Sequence, residues 1–286
     1  MKKQTTKSDS SQHIRTLVLR QGRGERHYFA DLWHYRDLFA ILAWRDVVVQ
    51  YKQTVIGVAW ALVRPLITMA IFTVVFGRLA RLPSDGDVPY PLMVMAGMLP
   101  WFLFSTILSQ AANSLVANSN LVSKVYFPRL IVPVASAMVA VVDFAITLLL
   151  LLVMMLAYGV IPSWRLVFLP LLTAGAILTA LGPSLLLAAL NVRYRDFRFV
   201  LPFIVQFGLY LSPVGFSSGV VPERWRLIYA LNPMVGIIDA FRWALFGDGT
   251  PLRLENVAAG ALMTAVLLYI GLRFFRATER TFADTI

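Results

Sequence analysis

The sequence predicts an all-α integral membrane protein, and three observations carry that prediction. Of its 286 residues 58% are apolar and only 14% charged, where a soluble domain carries roughly a quarter. The deficit is concentrated in runs of about 20 apolar residues, the length of helix that crosses the hydrocarbon of a bilayer. The charges that remain lie mostly beside these runs, as they do at the water-facing ends of membrane spans.

Residues 1–31 read as a basic cytoplasmic tail without the apolar core of a signal peptide. Residues 32–53 read as an amphipathic interface helix. Leu38, Ile41, Trp44, Val48 and Tyr51 recur at three- and four-residue intervals, while Arg36, Asp37, Arg45, Asp46 and Lys52 lie largely elsewhere around the helix. Such a helix lies flat on the cytoplasmic membrane surface, or packs on a soluble partner.

Residues 54–286 form the transmembrane domain, with six expected spans at 56–77, 91–112, 130–160, 166–190, 200–219 and 257–272. The third is longer than a crossing requires and should tilt or project; the last is short. Between the fifth and sixth spans, two apolar stretches at 227–231 and 235–246 are too short to cross. Pro213, Gly215, Pro222 and Pro233 break them up. Short re-entrant helices follow, lining an outer gate or vestibule, since non-helical backbone at that depth needs protein or water around it.

An even number of spans places both termini on one side. With that side cytoplasmic, the inner segments hold 18 basic residues and the outer ones seven, with Arg64 inside a span. The short outer loops hold only Arg78, Arg81 and Arg165, so the N-terminus is expected inside. The net charge of +11 is therefore read as cytoplasmic retention, and no nucleic-acid partner is expected.

No cysteine is present, which excludes disulfides, thiolate metal sites and cysteine nucleophiles. The three histidines, His13, His27 and His34, all precede the first span, so no intramembrane metal site is expected. There is no GxxxxGK[ST] loop, no HExxH, no GxSxG and no dinucleotide fingerprint. Energy for any transport has to come from a partner or an ion gradient.

Inside the spans, Arg64 and Asp143 are the conspicuous charges. Counted from the same side they lie roughly 12 and 20 Å deep at 1.5 Å per residue, close enough in depth to pair. They line a pathway or lock two helices together. The fifth span carries an aromatic stripe, Phe199, Phe203, Phe207 and Tyr210, supplemented by Trp60, Phe72, Trp101, Phe102 and Phe104 on earlier spans. Aromatic faces suit the C–H faces of sugar rings; ordinary lipid-facing or interhelical packing is the alternative. The loop at 113–129 reads as a short helix, capped at Asn118, Ser119 or Asn120 and stopped by Pro128.

Four segments in order, QTVIGVAWALVRPL (53–66), NLVSKVYFPRLIVP (120–133), LNVRYRDFRFVLPF (190–203) and VPERWRLIYALNPM (221–234), resemble the ABC-2 type permeases that export O-antigen, capsule and teichoic acid. The resemblance covers about residues 33–276. It implies a homodimeric permease of six spans per copy in a bacterial inner membrane, moving a lipid-linked polysaccharide. ATP and Mg would be bound by a separate ATPase subunit, with no cofactor on this chain. It further implies that Trp44, Arg45, Asn118, Asn120, Lys124, Tyr126, Phe127 and Arg129 contact the ATPase. Pro213, Pro222, Trp225, Asn232 and Pro233 would belong to the outer gate. Trp60, Arg64, Asp143, Phe203, Phe207 and Tyr210 are the candidates for the translocation path. The competing readings are an ABC-2 permease for drugs or lipids, an ion-coupled transporter, which would need more intramembrane carboxylates than Asp143, and a membrane enzyme acting on lipid-linked glycans.

Overall fold

A computed structural model describes residues 32–52, 57–194 and 196–282, so the basic tail at 1–31 and Arg195 lie outside the described residues. Within them every regular element is helical. Helix α1 is Arg36–Lys52. Helix α2, Gly57–Phe72, runs on as a π-helical turn, Thr73–Leu79. Helix α3 is Tyr90–Ala117, α4 the short Ser119–Lys124 and α5 Ile131–Ala157. A 3₁₀ turn, Trp164–Phe168, leads into α6, Leu169–Arg193. Then come α7, Phe197–Leu211, α8, Glu223–Ala230, α9, Pro233–Phe246, and α10, Leu254–Thr278.

Five helical stretches are long and apolar enough to cross a membrane: Ala59–Leu79, Tyr90–Ala117, Ile131–Ala157, Trp164–Arg193 and Leu254–Thr278. The second is the core. It packs against α5, α6 and α9, and Leu92 to Leu99 are all buried, with Gly97 in close contact with Arg242 and Val214. Helices α6 and α10 approach until the backbone of Gly271 meets that of Gly182, and the Thr179 and Thr264 hydroxyls bond at 2.8 Å. Small and hydroxylated residues are what let membrane helices pack this closely.

The stretch expected as the fifth span differs. Its helix, α7, is 15 residues long, roughly 22 Å, and stops at Leu211 because Ser212 and Pro213 turn the chain aside. The last helix, by contrast, runs 25 residues, well beyond 257–272. Polar Asn256, Arg273 and Arg276 sit inside it, which hydropathy alone reads as ends.

The two ends of the bundle gather different segments. One collects α1, α4, the start of α5, the ends of α6 and α10, and Phe282 around a cluster that includes Leu42, Phe127, Leu130, Phe275 and Phe282. The other collects residues 80–89, the turn after α7, the Gly247–Gly249 turn and the start of α10 around α9.

Helix α1 lies along α5. It buries Leu42 and Ala43 and leaves Ile41 and Trp44 of the apolar stripe exposed. The helix therefore carries apolar residues on two sides, of which the described residues cover one.

Candidate functional site

Along α7, Phe199, Phe203, Phe207 and Tyr210 are between 55% and 64% exposed. Spacings of four, four and three keep them along one side of the helix. Another side carries Gly208, where a Cβ would lie 2.6 Å from Trp101 Cη2, so Trp101 is buried between helices and not available to a path. Tyr210 stacks with Phe72 of α2, centroids 6.2 Å apart and planes within 10°. The α2 helix adds exposed Trp60, Ile67 and Ile71. Thus α2 and α7 together present a broad aromatic and aliphatic surface that no described residue covers.

Arg64 and Asp143 are not paired with each other. The Arg64 guanidinium sits 5.1 Å from the centre of the Phe102 ring, and Asp143 accepts a hydrogen bond from the Tyr51 hydroxyl at the end of α1. Tyr51 lies outside the spans; burial and the Asp143 carboxylate push its phenol well up, which keeps it a proton donor. Counting residues along two helices takes no account of a third, and it is α1 that brings a hydroxyl to the carboxylate.

At the end that holds α1, two residues expected to contact the ATPase meet each other. Arg45 Nη2 donates to Asn118 Oδ1 at 2.8 Å and to Asp46 Oδ1 at 2.7 Å. Asn118 occupies the capping position of α4, yet its side chain makes no cap; it turns back to donate to the Ser114 carbonyl at 2.9 Å. Helix α4 also ends at Lys124, four residues before the expected stop at Pro128. Asn120, Lys124 and Tyr126 are exposed, as is Trp44 at 71%. Phe127 is buried in the apolar cluster. The Arg129 backbone N–H donates to Glu279 Oε1 at 2.8 Å and its guanidinium to the Glu279 carbonyl. These two hold the chain's own C-terminal turn, while Trp44, Asn120, Lys124 and Tyr126 remain free surface.

At the opposite end, Asn232 caps α9 by accepting from the Met234 N–H at 3.1 Å, and its amide donates to Ser212 Oγ at 3.0 Å. It thereby ties the end of α7 to the start of α9, where Pro233 fills the first helical turn. Pro213 is buried; Pro222 and Trp225 are exposed.

The same end contains residues that sequence reasoning missed. Arg242 of α9 is 1% exposed. It donates to the carbonyls of Met93 (3.3 Å), Phe216 (3.0 Å) and Val214 (3.1 Å), and pairs with Asp85 at 3.4 Å. One turn earlier Asp239 accepts from Ser218 Oγ and Asn256 Nδ2, both at 2.8 Å. Burial pushes the Asp239 carboxyl up, against those two bonds and the charge of Arg242. Burial also pulls Arg242 down, opposed chiefly by Asp85 and Asp239; a guanidinium stays charged under such a pull. The signal was present in the sequence: Asp239 and Arg242 are the two charges of an otherwise apolar helix, spaced three apart on one side. Among the described residues no group of three His, Asp or Glu side chains gathers as a metal site.

The sequence profile of the ABC-2 type transporter matches residues 37–246. The chain is 26% identical over 251 residues to the O-antigen export system permease protein RfbA of Klebsiella pneumoniae, covering 87% of this chain and 95% of that protein. It is 27% identical over 259 residues to RfbA of Myxococcus xanthus, with 90% and 98% covered. To the polysialic acid transport protein KpsM of Escherichia coli it is 22% identical over 240 residues, with 82% and 91% covered.

Proposed function

Because the chain belongs to the ABC-2 type transporter family, we propose that it is the permease subunit of an exporter moving a lipid-linked surface polysaccharide across a bacterial inner membrane. The observation that carries this is the near full-length similarity to permeases named for O-antigen export and polysialic acid transport. Two copies of the chain set their α2 and α7 surfaces face to face, so that Trp60, Phe203, Phe207 and Tyr210 line a path along which sugar rings slide on aromatic faces. Aromatic walls suit this task, offering large contact area without the directional bonds that would hold a moving polymer.

ATP is bound and hydrolysed by a partner ATPase. It docks on Trp44, Asn120, Lys124 and Tyr126, and the Arg45–Asn118 contact passes its movement to α1. Both termini are cytoplasmic. The chain makes six crossings, with α7 and the extended turn that follows it completing the fifth. In support, α7 begins near the end of α6, while Gly215 lies against Phe72, Phe76 and the Tyr90 hydroxyl at the opposite end. Helices α8 and α9 form a re-entrant hairpin: Pro233 lies against Gly260, six residues or roughly 9 Å into α10.

The test is purification of the tagged chain from native membranes in mild detergent. An ATPase with its own phosphate-binding loop is expected to co-purify, and deletion of the gene should leave lipid-linked glycan on the cytoplasmic side. Recovery of this chain alone, with surface glycan unchanged in the deletion, would overturn the proposal.

A further inference from the structure

The outer end is held by a buried cation whose partners differ in kind. Three of the four acceptors of Arg242 are backbone carbonyls, belonging to α3 and to residues 212–216. Space for the guanidinium is made by Gly97: a Cβ there would lie 2.9 Å from Arg242 Nη2 and 3.0 Å from the Val214 carbonyl oxygen. The fourth partner, Asp85, is the one formal charge. It sits on the loop at 80–89 and is 14% exposed; its carboxylate makes one 3.4 Å contact, with Arg242, while its backbone N–H donates to Met93 Sδ at 3.2 Å.

If Asp85 leaves, Arg242 keeps three acceptors and is not orphaned. Removing the carbonyls would be another matter, since a buried cation without acceptors is heavily penalised. Of the contacts Arg242 makes, the one to the loop is therefore the one whose loss costs least; the loop is otherwise held by the Asp85 N–H on Met93 Sδ and by the close approach of Gly86 to the Gly249 carbonyl. The loop's own Val88, 8% exposed, packs against the Gly247–Gly249 turn that follows α9; a Cβ on Gly249 would lie 3.8 Å from Val88 Cγ2.

We propose that Arg242 is a positioning residue that pins the outer end of the path, and that its ion pair with Asp85 is the latch that releases the 80–89 loop when a glycan leaves. This rests on the exporter reading for what passes the latch, but not for the latch itself. The three carbonyl bonds hold α3, α9 and the turn after α7 as one body throughout. The loop swings against that body and uncovers Val88.

The chain lacks cysteine, so Val88→Cys supplies a reporter unique on this chain, and labelling is read on this chain after the full complex is separated into its subunits. Its labelling by a membrane-impermeant maleimide is measured in the resting complex, during ATP turnover with glycan, and in an added Asp85→Asn background. Labelling should be slow at rest and rise at least roughly fivefold in each of the other two conditions, because local opening is made easier once a buried ion pair no longer opposes it. The turnover arm needs no change to the latch, so it stands even where Asp85→Asn lowers yield. A merely structural contact would not make labelling depend on turnover. A rise with Asp85→Asn but none with ATP supports the latch and counts against ATP-driven export. A labelling rate that Asp85→Asn leaves unchanged, in protein of normal yield, overturns the latch, and so does cysteine labelling equally fast in all three conditions.

Discussion

The two ends of this bundle are fastened by opposite chemistry. The end with α1 and α4 is held by an apolar cluster in which Phe275 and Phe282 meet edge to face at 5.3 Å. Its charged contacts are exposed, as at Arg45–Asn118, or part-buried, as at Arg129–Glu279. The end with α9 is held from inside by Arg242 and Asp239, with 1% and 6% of their surfaces exposed. Apolar contact is non-directional and tolerates sliding, whereas buried charged groups allow few arrangements, because each lost bond leaves a desolvated partner. One end is suited to being pushed by a partner. The other is suited to standing in a small number of defined states.

The comparison can be broken most directly at Arg242. Substitution by Met removes the shared partner of α3, the turn after α7 and the Asp85 loop, and breaking one side of a buried pair costs about 3–5 kcal/mol. We expect monodisperse detergent-extracted protein to be nearly lost. Arg242→Lys should rescue little, since an ammonium cannot reach four acceptors in a fork. Full yield of Arg242→Met, measured by size-exclusion profile, would mean the end with α9 does not depend on its cation.

Next in size is Phe282→Ala. Loss of a buried ring costs up to about 3–5 kcal/mol in a core, but this residue lies in the last turn, where fraying absorbs part of it. The expected outcome is faster proteolytic trimming of the C-terminal turn with the spans intact. An unaltered digestion pattern would show that the apolar cluster does not depend on it.

Gly97→Ala sharpens the picture of the end held by Arg242. Its Cβ crowds Arg242, and overpacking of this kind costs about 1–3 kcal/mol. The melting temperature should fall measurably, and Gly175→Ala, whose Cβ would make only an ordinary 3.5 Å contact with Ile237, should leave it almost unchanged.

Tyr51→Phe removes the donor to Asp143 and should cost about 1–3 kcal/mol, with Asp143→Asn in the same background adding little if the two act as a pair. Arg45→Ala belongs at the bottom of the scale for stability, within about 0.5 kcal/mol, because its contacts are exposed. Its effect should fall on the stimulation of the partner's ATP hydrolysis by glycan. Equal stimulation in the variant would detach α1 from coupling.

The long spans were legible because a run of apolar residues has one comfortable solvent, and the first four appear within a few residues of expectation. Of the candidate site, the sequence disclosed that the aromatic residues of α7 share one side, because helical spacing fixes that locally. It did not disclose that Asn118 touches Arg45 or that Phe127 and Arg129 meet the C-terminal turn, because those contacts join segments distant in the chain.

What the sequence determined by itself was the solvent of each segment: which stretches are apolar for about 20 residues, where the basic residues collect, and that no GxxxxGK[ST] stretch occurs. These are properties of composition along the chain, and they need no partner to be defined. Only the tertiary structure decided which face of α1 is covered, that Asp143 meets Tyr51 and not Arg64, and that Asp239 and Arg242 fasten the segments around α9. Each of those is a choice between partners distant in the chain. A hydrogen bond is won by whichever donor packing brings within about 3 Å, and residues 51 and 143, or 85 and 242, acquire that distance only when the helices between them have been laid side by side.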